Sequence, residues 1–223
     1  MSLKLSTSGN NKPFENAPEG VHPAICIAIL DLGTQTSKYG AQRQVRIMHE
    51  LPFSLMADGK PHITLRNYNA TLGKGSDLRR DLESWRGKAF SEKEAEEFDL
   101  YNLLGKQCQI NYTPGKDGDG MFVTGIMPIP RRPDGKPMID MPSETHNALK
   151  FLELSFDRFD DKVFDSLSDK TRQKIADSPE FKRLFPRGLW AKGQSAPAPQ
   201  PDNVASTPEP TAQQIDDDSF PPF

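Results

Sequence analysis

The chain has 223 residues with 28 Lys and Arg against 31 Asp and Glu, a net charge of −3. Its longest apolar run, Ala24 to Leu30, is far short of the ~20 residues a membrane-crossing helix needs. Cys26 and Cys108 form no CxxC pair and no disulfide framework, which implies a reducing cytoplasm. The charge is split along the chain: residues 194–223 hold five acids (Asp202, Glu209, Asp216, Asp217, Asp218) and no base, leaving +2 on the 193 residues before them. A mildly basic body with an acidic tail is compatible with a polyanionic ligand.

Residues 1–12, rich in Ser, Asn, Lys and Gly, read as a flexible N-terminus. From Gly20, Ile25, Ile27 and Ile29 alternate with Cys26, Ala28 and Leu30, a strand apolar on both faces as a central barrel strand would be. The stretch from Gly33 to Gly40 reads as a polar loop carrying Lys38 and Tyr39. In the returning strand, Gln42 to Leu51, Val45 and Ile47 share one face and Gln44 and Arg46 the other. A third strand follows Asp58-Gly59, with Ile63 and Leu65 expected inward and Thr64, Arg66 and Tyr68 outward.

Period 2 then gives way to period 3.6. Leu78, Leu82 and Trp85 fall on one helical face behind Ser76, a candidate N-cap. Ser91-Glu92-Lys93-Glu94 is a capping box opening a second helical stretch toward Leu104, stopped by Gly105. Strands resume at Lys106 to Thr113 and Met121 to Met127, joined by the Gly- and Asp-rich residues 114–120. Tyr112 shares a face with Cys108 and Ile110 and belongs to the core, as does Trp85; Phe122 has the parity opposite to Val123 and points outward. Leu149 to Phe156 is an extra strand or helix. A capped helix spans Ser168 to Ala176, broken at Ser178-Pro179, and Phe181, Leu184 and Phe185 close the ordered region.

Three strands, a helical insertion and two strands match the order of the five-stranded OB-fold barrel. The expected organisation is a mainly β chain with helices: a nucleic-acid-binding barrel over 13–139, an α/β appendage over 140–193 packed on the barrel or on a second subunit, and a linker with an acidic tip over 194–223.

No enzyme constellation is visible. His22, His49, His62 and His146 are scattered, with no HExxH and no Cys/His ligand spacing, so neither metal nor other cofactor is expected. Gly73-Lys74-Gly75-Ser76 lacks the ending of a phosphate loop, and residues 117–120 lack the remaining ligands of a calcium loop. Binding a single strand without sequence preference instead needs cations that follow phosphates and flat rings on which bases stack. Lys38, Tyr39, Arg43, Gln44, Arg46, Thr64, Arg66, Tyr68 and Phe122 are the candidates on the barrel, with Arg79 and Arg80 extending the track along the first helix.

Residues 194–215 contain no Lys or Arg, and 194–223 hold 7 of the 20 prolines, the composition of a tether rather than a core. It leads to Asp216-Asp217-Asp218-Ser219-Phe220-Pro221-Pro222-Phe223. Acids leading into Pro-Phe on a Pro/Gln/Ser linker resemble the tip of bacterial and phage single-stranded DNA-binding proteins. Here Ser219-Phe220-Pro221 stands between the acids and Pro222-Phe223. The resemblance implies sequence-independent coating of single-stranded DNA in phage or bacterial replication, recombination or repair. It also implies recruitment of a helicase, primase, polymerase or exonuclease through Asp216, Asp217, Asp218, Phe220, Pro222 and Phe223, with no membrane involved and self-association left open. A strand-annealing mediator and, from another class, a metal-dependent nuclease are the alternatives.

Overall fold

In the computed structural model, which describes residues 15–38, 40–115 and 120–186, one long strand carries the fold. Strand β1 (Gly20–Ser37) has both faces covered from Ala24 to Leu30, as its unbroken apolar run demands. It achieves this by changing partners. Its start pairs antiparallel with β4 (Gln107–Pro114), from Gly20 opposite Tyr112 to Ile25 opposite Gln107. From Ile25 onward it pairs antiparallel with β2 (Gly40–Leu55). Register shifts between Cys26 and Ala28 and between Asp31 and Gly33 bend the strand as it crosses between partners. Strand β3 (Pro61–Asn69) adds to β2, β5 (Met121–Met127) adds to β4, and the short β6 (Lys150–Leu152) runs parallel to β1 at Ala28–Leu30.

The strand order is β3-β2-β1-β4-β5 with β6 beside β1, a mainly β architecture with short helices. The sheet is open. Its edges, β3 and β5, are joined by no backbone ladder; the Arg66 guanidinium reaches across, donating to the Val123 carbonyl at 3.1 Å. The curled sheet and the helical insertion between β3 and β4 enclose one core, with Cys26, Ile29, Ile47, Leu51, Ile110 and Ile126 from the strands.

Helix α1 (Asp77–Arg86) seals that core with Leu78, Leu82 and Trp85, the spacing seen in the sequence. The Ser76 side chain accepts from the Arg79 amide at one end, and Gly87, at φ +65°, ends the helix in the left-handed region. Helix α2 (Glu92–Glu96) has the expected capping box at Ser91 but stops far short of Leu104. Phe98 turns inward to meet Phe90 edge-to-face at 5.1 Å, and Asp99 accepts from the Tyr101 amide to start a separate 3-10 turn, Leu100–Leu103. A second difference is that the supposed loop from Gly33 is strand as far as Ser37, paired up to Gly40.

After β6, α3 (Asp161–Asp165), α4 (Asp169–Ala176) and α5 (Pro179–Leu184) close around Phe159, Phe164, Phe181 and Phe185. These helices are seated on β1. Glu180 accepts from the Thr34 amide at 2.7 Å and from its hydroxyl at 2.5 Å, and the Gln35 side chain donates to the Lys174 carbonyl at 3.0 Å. Gly33 is required here, since its φ is +66° and an added Cβ would lie 2.4 Å from the Ser178 side chain. Described residues fall within one compact unit ending at Pro186.

Candidate nucleic-acid interface

Register decides which side chains share the outer face of β2 and β3. Val45 lies opposite Tyr68, Ile47 opposite Arg66 and His49 opposite Thr64, so these pairs share the inner face. The other parity, Gln44, Arg46 and Met48 with Asn69, Asn67 and Leu65, faces outward.

That placement corrects the expectation for β3. Thr64 and Tyr68 are buried, at 2% and 3% exposure, while Leu65 is 43% exposed. The inward parity was hidden because Tyr68, Arg66 and His62 find partners in the interior, while the small Thr64 hydroxyl is buried with none among the described residues. The Tyr68 hydroxyl donates to Asp81 at 2.9 Å, Arg66 pairs with the same carboxylate at 2.7 Å, and His62 meets the Ser54 carbonyl. Burial beside Asp81 raises the Tyr68 pKa and keeps its hydroxyl protonated. In this structure Tyr68 cannot serve as a stacking platform, and Thr64 and Arg66 leave the outer face with it.

Arg79 is corrected as well. It lies 7% exposed within the insertion, donating to Glu83, Glu92 and the Leu72 and Phe90 carbonyls, so it ties α1 to the following loop. Arg80 is exposed but paired with Asp77 and Asp81. Arg43 has the opposite parity to Gln44 and Arg46; it binds Asp31 and lines a cleft of about 410 Å³ beside Glu96, Glu97, Asp99 and Glu153, an acidic setting unsuited to phosphate. Lys38 is exposed at the β1–β2 turn, and Phe122 is 53% exposed and outward as expected. Tyr39 and the tip residues Asp216, Asp217, Asp218, Phe220, Pro222 and Phe223 lie outside the described residues.

Gln44 and Arg46 do face outward, but α4 lies against them. Arg46 donates to Asn67 Oδ1 at 2.8 Å and to Thr171 Oγ1 at 2.9 Å, and Lys174 Nζ donates to Gln44 Oε1 at 3.2 Å. Burial lowers the Arg46 pKa. The Lys174 pKa is lowered by burial first and then by the positive charges of Arg46 and Lys170. No carboxylate among the described residues pairs with Arg46, Lys170 or Lys174. Beyond them the face becomes apolar at Met48 and Leu65. It ends where Glu50, only 1% exposed, accepts from the His146 and Asn147 amides and from the Asn147 side chain.

The sequence reading missed Lys170, Lys174 and Asn67. Lys170 and Lys174 stand four apart in α4, a spacing that places them on one helical face, and that spacing is the signal that could have found them. Asn67 was missed because the β3 parity was inverted.

Among the described residues no group of three His, Cys, Asp or Glu side chains is placed to hold a metal ion, and no helix is long and apolar enough to cross a membrane. No family model matches the chain, and no curated protein matches it.

Proposed function

We propose that this protein binds single-stranded DNA without sequence preference and without catalysis, on the outer face of β2 and β3 where α4 borders it. The observation that carries this reading is the cluster of Arg46, Lys170 and Lys174, held together against mutual repulsion with no carboxylate partner among the described residues. A phosphate would supply the missing charge. Arg46, Asn67 and Thr171 offer hydrogen-bonding groups beside it, and the exposed Leu65 with Met48 gives bases an apolar surface to lie on.

The strand order, with the helical insertion between β3 and β4, supports the finer reading of the sheet as an OB-fold barrel whose last seam is bridged by side chains such as Arg66. On this reading the acidic tip, Asp216 to Asp218 with Phe220, Pro222 and Phe223, recruits the enzymes that process the coated strand in replication, recombination or repair.

Titration of labelled dT and rU oligomers, with duplex competitor, tests this. Log affinity for dT should fall linearly with log salt, by about 0.7 per phosphate contact, and the double variant Lys170→Ala/Lys174→Ala should show a slope shallower by about 1 to 1.4. A chain lacking Ser219 to Phe223 should keep its DNA affinity and lose the proteins it captures from bacterial lysate. Unaltered affinity and slope in the double variant would remove this face, and divalent-metal-dependent loss of the labelled strand would replace binding by nuclease activity.

A further inference from the structure

On another side of the fold, α1, the 3-10 turn, the start of β4 and the segment after β5 enclose a cleft of about 560 Å³. Its floor is apolar, built from Leu82, Trp85, Leu103, Pro128 and Ile129. The one indole donor there is already used, since Trp85 Nε1 donates to the Gln107 carbonyl at 2.9 Å. The rim is cationic. Lys106 and Arg131 both line the cleft, Arg131 also donating to the Gly135 carbonyl at 2.8 Å, and the turn closed by the Arg131–Pro137 bridge carries Arg132 and Lys136 beside it. Arg86 on the α1 wall is engaged by Glu94 and lies 4.0 Å over the Phe90 ring, but none of Lys106, Arg131, Arg132 and Lys136 pairs with a carboxylate among the described residues. Asp134 accepts from the backbone amide of Lys136, which holds the turn.

We propose that this cleft docks an acidic peptide segment of a partner protein, with one bulky apolar side chain buried on the Leu82–Trp85–Ile129 floor and its flanking carboxylates met by Lys106, Arg131, Arg132 and Lys136. The charge on the rim selects the acids, and the apolar floor selects the anchor. A nucleic-acid strand fits less well, because the Trp85 indole on the floor is buried at 8% exposure and offers no platform on which a base could stack. Lys106 and Asn102 also border a neighbouring cleft lined by Tyr101, Leu149 and Phe151, which gives the peptide a continuation for a second apolar residue. This surface is separate from the β2–β3 face, so the inference stands or falls independently of DNA binding there.

The test uses the full chain and a fluorescein-labelled peptide, Glu-Asp-Asp-Phe-Leu-Asp-Glu, followed by anisotropy at low and moderate salt. Saturable binding is expected, weakened about tenfold or more when Asn and Gln replace the acids or Ala replaces the anchors, consistent with charge at the rim and burial at the centre. Lys106→Glu/Lys136→Glu should lose binding to a similar degree. Asn102→Trp, which fills the cleft from an exposed position, should do the same with the charges intact, and unchanged thermal transitions would show that both variants fold. Absence of binding at low salt, or equal binding by the intact chain and both variants, would overturn the proposal. If Asn102→Trp instead weakens labelled oligo(dT), the cleft belongs to the nucleic acid and the peptide reading fails.

Discussion

Two groups of cations in this protein are held in opposite ways. On the insertion side, Arg66 and Arg79 are drawn into the fold and neutralised, Arg66 by Asp81 and Arg79 by Glu83 and Glu92. Where β2 meets α4, Arg46, Lys170 and Lys174 are brought together and left without a counter-charge among the described residues. Equal arginines in the sequence therefore carry different meanings. A neutralised guanidinium is a structural tie, whereas an un-neutralised cluster retains repulsion that only an external anion relieves. Disturbing each group in turn should separate stability from binding.

The largest effect should come from the neutralised group. Asp81→Ala leaves the Arg66 guanidinium and the buried Tyr68 hydroxyl without their shared acceptor, and breaking such a pair from one side costs roughly 3 to 5 kcal/mol. Chemical denaturation would measure it, and Asp81→Asn, which keeps an acceptor for Tyr68, should lose less. DNA affinity of the folded fraction should not change. A destabilisation below about 1 kcal/mol, the scale of a surface pair, would erase the distinction between the two groups.

The next effect belongs to a buried group whose charged form the surrounding core disfavours. His49 is fully buried, its ring tilted at 59° to that of Trp85 with centroids 5.7 Å apart, neither ring nitrogen has a hydrogen-bond partner among the described residues, and burial lowers its pKa from 6.5 to about 4. Because the folded value lies below the unfolded one, the neutral ring's contribution is fully present above pH 6.5 and is lost as pH falls from 6.5 toward 4. The loss approaches about 3 kcal/mol. Unfolding free energies of the intact chain and of His49→Leu between pH 7 and pH 4 would check it, with the variant expected to lose this part of the slope.

These contrasts also show which parts of the chain were legible in its sequence. The periodic apolar segments were read correctly: β1 as a strand covered on both faces, the Leu78, Leu82 and Trp85 face of α1, the caps at Ser76 and Ser91, and the break at Ser178-Pro179. All are local signals. The errors arose where distant partners outweighed local pattern. Ile63 and Leu65 look more core-like than Thr64, Arg66 and Tyr68, yet Asp81, from a helix that follows in the chain, accepts from Tyr68 and pairs with Arg66, which draws that parity inward. Arg79 appeared off the apolar face of α1, but the carbonyls of Leu72 and Phe90 wait for it there. Lys170 and Lys174 come beside Arg46 because α5 sits on β1 at Gly33 and α4 lies against Gln44 and Arg46, and pairing over 125 to 130 residues leaves no periodic trace.

The smallest expected effect on stability is also the sharpest test of the un-neutralised group. Lys170→Ala and Lys174→Ala remove charges that repel Arg46 and each other, so the fold should change by no more than about 0.5 kcal/mol, in the stabilising direction where the repulsion dominates. Salt distinguishes this from an ordinary exposed lysine. With a screening length of about 30 Å at 0.01 M and about 10 Å at 0.1 M, raising salt should stabilise the intact chain more than the double variant, because only the intact chain has this repulsion to screen. A polyvalent anion should act more strongly than sodium chloride at equal ionic strength, since it can occupy the space beside Arg46, Thr171 and Asn67 instead of only screening it. Thermal melts in chloride and in tripolyphosphate at matched ionic strength would measure both effects. If the two chains respond alike to both salts, Arg46, Lys170 and Lys174 are solvated charges that happen to be near one another, and the contrast with Arg66 and Arg79 is one of burial alone.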